Sequence, residues 1–142
     1  MKKTIIALLL SVLIVSPLLA ESGLRPNMGD AHMWKNHLVS INNLAIHLAT
    51  KEREVRQYDL AVLLLDQGVA LDPSFETFYV NYAFVFFHWI YDLAMLGRFD
   101  DARNVFAIAQ KRIPDNAHLL QAHLLQLMKH VDQAEQRAMQ RR

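Results

Sequence analysis

The chain has 142 residues, a formal net charge of +1, a hydrophobic share of 53% and no cysteine. A chain this long supports one small domain with a single core, and without cysteine it has neither disulfides nor a thiol for lipid attachment, so stability has to come from buried apolar surface. The basic residues are scattered apart from Arg141-Arg142, which argues against nucleic acid or an anionic membrane surface as a partner.

Met1-Lys2-Lys3 precede an apolar run from Thr4 to Val15, broken by Ser11, and then Ser16-Pro17-Leu18-Leu19-Ala20-Glu21. That is the order of a secretory signal over residues 1–20, with cleavage expected after Ala20. The competing reading is a retained anchor, but a span needs about 20 apolar residues, and Pro17 falls inside the one stretch that could supply them. The expected product is exported, to a bacterial periplasm or outside the cell, with no membrane insertion after signal cleavage. Residues 21–29, with Ser22, Gly23, Pro26 and Gly29, read as a short flexible lead.

From Asp30 the pattern turns helical. Trp34, Leu38, Ile41, Ala45 and Leu48 recur at spacings of four and three, one face of an amphipathic helix with Asp30 as its N-cap and Lys51-Glu52-Arg53-Glu54 ending it. A second helix carries Tyr58, Ala61, Val62, Leu65 and Val69 and stops at Leu71-Asp72-Pro73. The third is expected from Ser74, acting as cap, to about Met95, with Phe75, Phe78, Tyr79, Tyr82, Phe86, Trp89, Ile90 and Leu93 on its inner side. Val80, Phe84, Val85, Phe87 and Tyr91 make the rest of it apolar too, as in a helix covered from several sides or by a partner. Gly97 marks its C-cap region. A fourth helix, about Asp100 to Lys111, turns Ala102, Val105, Phe106 and Ala109 inward. Pro114-Asp115-Asn116 opens a fifth, over residues 115–138, carrying Leu120, Leu124, Leu127, Met128 and Val131 before a polar tail. No segment alternates as a strand does, so the fold class is all-α, with a helical domain over residues 30–142.

Residues 33–73 slide onto residues 74–114 without a gap. The alignment pairs Trp34 with Phe75, Ile41 with Tyr82, His47 with His88, Tyr58 with Phe99, Ala61 with Ala102, Leu65 with Phe106 and Pro73 with Pro114. Aromatic, small and proline positions coincide, the mark of a duplicated helix hairpin.

The run Leu96-Gly97-Arg98-Phe99-Asp100-Asp101-Ala102, followed by Phe106, Ala109 and Pro114-Asp115-Asn116-Ala117, resembles the second half of a tetratricopeptide repeat. Tyr58, Ala61, Leu65, Gly68 and Leu71-Asp72-Pro73 repeat the pattern in the first block. Each block exceeds the family unit of about 34 residues by roughly two helical turns, and Arg56 replaces the turn glycine of the first. The resemblance implies a short right-handed helical-hairpin solenoid of two lengthened repeats and a C-terminal capping helix. It also implies a concave face made by the first helix of each hairpin, along which Asn43, Ile46, His47 and Thr50 of block one, Phe84, Phe87, His88 and Tyr91 of block two, and His118 would stand. The periodicity leaves these residues open between groove wall and buried contact within the repeat.

Seven histidines raise the question of metal or haem. His32 and His37, and His118 and His123, are five apart, about 140° around a helix rather than on one face; no metal ligand set and no cofactor is expected. His88 and Asp92, four apart, could pair on one face. No phosphate loop, nucleophile elbow or catalytic carboxylate pair occurs, so no catalytic residue and no enzymatic activity is expected. The expected function is a protein–protein interaction module, an adaptor or assembly factor gripping a peptide or helix of another polypeptide in an aromatic groove. Two alternatives stand beside it: a histidine-using metal or haem carrier of the cytochrome-maturation kind, and a structural subunit whose exposed aromatics seal a homodimer.

Overall fold

A computed structural model of the protein describes residues 31–51 and 56–141. They form five helices: α1 (Ala31–Thr50), α2 (Tyr58–Leu71), α3 (Thr77–Met95), α4 (Phe99–Arg112) and α5 (His118–Gln140). Among the described residues there is no strand, and their regular structure is all helical, as the periodicity indicates. The signal segment 1–20, the lead 21–29, the Asp30 cap and Glu52-Arg53-Glu54 lie outside the described residues.

Local chemistry sets the boundaries. The third helix begins at Thr77 rather than Ser74, because the Asp72 carboxylate accepts both the backbone N–H (2.9 Å) and the hydroxyl (2.6 Å) of Ser74. This closes a side-chain turn that competes with the helix over those residues. Ser74 is therefore part of a turn and not a cap, and Glu76, the residue before the helix, makes no side-chain cap bond either. Gly97 ends α3 with φ +73, while Arg98 N–H reaches the Leu93 carbonyl (2.9 Å) and Gly97 N–H the Ala94 carbonyl (3.0 Å). Those two bonds are a Schellman closure, and its left-handed residue is one that a side chain would strain. A backbone turn, Ala117 N–H to the Pro114 carbonyl at 2.9 Å, delays α5 to His118. At its far end α5 runs to Gln140, past the expected residue 138, through good helix formers such as Ala134, Glu135 and Arg137.

α3 is the hub: it touches α1, α2, α4 and α5, while α2 also packs on α1, and α4 also on α5. Phe78, Val85, Phe86 and Ile90 are wholly buried along it. The small residues sit where the sequence asks for close packing. Ala61, Ala102 and Ala109 are fully buried, and a β-carbon at Gly68 would lie 2.4 Å from the Phe78 ring, so the aromatic of α3 occupies the space that the missing side chain of α2 leaves.

Polar bolts cross the same interfaces. Tyr82 of α3 donates to Asp66 of α2 (2.6 Å), and Arg112 of α4 bonds both oxygens of that carboxylate (2.8 and 3.0 Å). Burial, and then the bond to Asp66, push the Tyr82 phenol well above its usual range. Asn81 of α3 donates to the buried Asn42 of α1 at 2.6 Å. Arg103 of α4 bonds Asp132 and Glu135 of α5. No buried side-chain nitrogen or oxygen among the described residues lacks a hydrogen-bond partner, as a specific rather than a merely collapsed core requires.

Candidate functional site

The residues of α3 divide by helical position. Phe78, Tyr82, Phe86 and Leu93, at intervals of four and seven, point into the core. The opposite side carries Val80, Phe84, Phe87 and Tyr91, which are 55%, 37%, 42% and 45% exposed, against 0% for Phe86. Val85, grouped with this outer set by the sequence pattern, is instead fully buried. Trp89 and Phe75 are half-buried at the edge of the core. The Trp89 ring stacks on Tyr58 (centroids 5.8 Å) and on Phe86 (6.4 Å).

Between this outer side and α5 runs an apolar cleft of about 210 Å³, lined by Val80, Ala83, Phe84 and Phe87 of α3 and by Leu120, His123 and Leu124 of α5. Phe84 and Phe87 thus line a cleft that stays open to solvent, and Tyr91 continues their exposed row one turn further along. On α5, His123 and Leu120 join the cleft, whereas His118 is exposed at the first residue of the helix and does not line it. The apolar pattern of this helix includes Leu120, and neither it nor His123 is marked by that pattern as a groove residue. The signal was present in the spacing of Leu120, His123 and Leu124, which puts all three on one flank of a helix.

His88 is half-buried. Its ring meets Phe84 edge-on at 4.4 Å and Phe87 at 6.0 Å between centroids. Burial is the main reason its pKa lies below the usual histidine value, with the positive charge of Arg56 adding to the effect and Asp92 opposing it. Asp92, the expected partner of His88, is committed elsewhere: its carboxylate accepts Arg56 Nη1 at 2.6 Å and the Tyr58 hydroxyl at 2.7 Å. Arg56 also donates to the Lys51 carbonyl (2.9 Å) and to the Tyr58 hydroxyl (3.1 Å). The bond to Asp92 raises the Arg56 pKa, while burial, followed by its bond to Asp92, lifts the Tyr58 phenol to about 12. Arg56 is the residue that the sequence showed only as a missing glycine. Its side chain ties the turn after α1 to the middle of the molecule, a role that spacing alone does not reveal.

In block one, Asn43, His47 and Thr50 are exposed on α1 and Ile46 is half-buried. The Thr50 hydroxyl donates back to the Ile46 carbonyl at 2.8 Å, an ordinary helix-surface bond. Of the repeat positions, Tyr58, Ala61, Leu65, Ala102 and Ala109 are buried, Phe99, Phe106 and Pro114 half-buried, and Pro73 and Gly97 exposed. Among the described residues no three His, Asp or Glu side chains converge into a metal-holding group, and no helix is long and apolar enough to cross a membrane. No protein-family model, curated protein or solved structure matches the chain.

Proposed function

We propose that this chain is an exported, non-enzymatic interaction module of two tetratricopeptide-like hairpins and a capping helix, and that it holds a segment of another polypeptide along the outer side of α3. The observation that carries the reading is the row Val80, Phe84, Phe87 and Tyr91, exposed beside an open apolar cleft. Clustered exposed aromatics are unfavourable in water and typical of interfaces. The order of helix contacts fits a stack with α1, α3 and α5 in one row and α2 and α4 in the other, α3 being the middle of the first row. The order of charged, apolar and small residues over Met1–Ala20 supports export.

The test compares the unchanged chain with Phe87→Ala and Tyr91→Ala in pull-downs from the native envelope, followed by affinity measurement on the recovered partner. If the row is the docking surface, either substitution weakens binding by about 2 kcal/mol or more, as interface anchors do, and leaves the melting temperature near that of the parent. A partner bound equally by both variants overturns the reading. A dimer in sedimentation equilibrium that Phe87→Ala dissociates would replace it with self-association.

A further inference from the structure

Histidines are confined to three of the five helices, and an arginine bonds each carboxylate that those three carry. α1 contains no Asp or Glu. α3 contains one carboxylate, Asp92, buried and bonded by Arg56 and Tyr58. α5 contains Asp132 and Glu135, and Arg103 of α4 bonds both. All seven histidines of the chain, by contrast, stand on these three helices: His32, His37 and His47 on α1, His88 on α3, and His118, His123 and His130 on α5. Asp59, Asp66, Asp100 and Asp101 belong to α2 and α4.

Along α5, His123, His130 and Arg137 follow one another at seven-residue intervals and are all exposed, forming a line that drifts only about 20° per step. His123 begins that line at the cleft. Asp132 and Glu135 occupy the flank turned toward α4, where Arg103 fixes them.

We infer that the occupant of the α3–α5 cleft is an acidic amphipathic segment of a partner protein, its apolar side chains seated between Phe84, Phe87 and Leu120 and its carboxylates along His123, His130 and Arg137. The inference rests on the reading that this side of α3 docks a polypeptide. A carboxylate brought to the line meets imidazole and guanidinium donors. From α1, α3 and α5 it meets no carboxylate that an arginine does not already bond. A basic segment would find no such partner there and would face Arg137. Burial of the apolar half supplies the affinity, while the charges choose among partners. Nucleic acid fits poorly: the three helices hold only Lys35, Lys129 and Arg137 as permanent cations, whereas phosphate-driven binding leans on many such contacts.

The experiment is fluorescence anisotropy of the full chain with three synthetic helical peptides. They share one Leu/Phe stripe, are acetylated and amidated at their ends, and carry Glu, Gln or Lys at every polar position. The Glu peptide is expected to bind at least tenfold more tightly than the Lys peptide, with Gln between them. The double variant His130→Glu/Arg137→Glu, at two exposed positions, reverses that order, and Phe87→Ala weakens all three peptides. Equal binding of the three peptides, preference for Lys, or an order that the double variant leaves unchanged overturns the acidic partner while the docking reading stands. Tighter binding of a single-stranded DNA oligonucleotide than of the Glu peptide overturns it as well. If none of the three peptides binds, the docking reading falls together with the inference.

Discussion

The two helix pairs, α1 with α2 and α3 with α4, are closed by different physics. In the second, a backbone device joins α3 to α4: Gly97 takes a left-handed conformation and two N–H groups return to the last turn of α3. In the first, the Gln57 N–H returns to the Leu48 carbonyl (3.1 Å), and Arg56 bridges the Lys51 carbonyl, Tyr58 and Asp92. The second closure is local, whereas the first depends on a residue of the neighbouring hairpin. The outward positions differ too. Asn43 and Thr50 of α1 are polar where Phe84 and Tyr91 of α3 are aromatic, while His47 is matched by His88 and the apolar Ile46 by Phe87. The two helix pairs therefore present different outer surfaces, the second the richer in exposed aromatic rings.

The largest test of this comparison lies within α3 itself. Phe86→Ala, which empties a fully buried position, is expected to cost roughly 3 to 5 kcal/mol of unfolding free energy. Phe87→Ala, its exposed neighbour, is expected to stay within about 0.5 kcal/mol of the parent. Denaturant titration of both decides the matter, and equal losses would mean that the outer row is core.

The charged closure comes next. Arg56→Met removes one charge-assisted bond from the buried Asp92 carboxylate, and the loss of such a bond costs about 1.5 to 3 kcal/mol. The equilibrium midpoint should fall accordingly, and the loss should be smaller when Asp92→Asn is already present, because the pair is coupled.

The backbone closure is expected to matter less. Gly97→Ala meets no atom within 4 Å but must hold φ +73, a conformation that costs an ordinary residue about 1 to 2 kcal/mol. Thermal melts of this variant beside Arg56→Met rank the two closures, and a Gly97→Ala loss exceeding that of Arg56→Met would reverse their proposed order.

The smallest effect separates His88 from its exposed counterpart His47. Burial lowers the pKa of His88 in the folded protein, so the unfolded chain takes up that proton first as pH falls. The contribution of the neutral ring is intact above the ordinary histidine value of about 6.5 and declines as pH drops through that value toward the lower folded one. The loss of stability between pH 7.5 and pH 5.5 should shrink in His88→Gln relative to the parent. An unchanged pH dependence would show that the ring is not held neutral.

The amino-acid sequence alone determined the all-helical class, the five helices and the core periodicity, because a 3.6-residue repeat of apolar side chains is a local property that survives any packing. It also determined which residues had to be small: Ala61, Ala102 and Gly68 announce close helix crossings before any neighbour is known. It could not place the start of α3, where one side-chain turn at Asp72 competes with a cap at Ser74 by an energy too small for a pattern to resolve. Only the tertiary structure decided that Asp92 pairs with Arg56 and Tyr58 rather than with His88, and that Leu120 and His123 face Phe84 and Phe87 across a cleft. Such contacts join residues tens of positions apart, and their partners are set by how α3 lies against α2 and α5, which depends on the shape of the whole core and is written in no single segment.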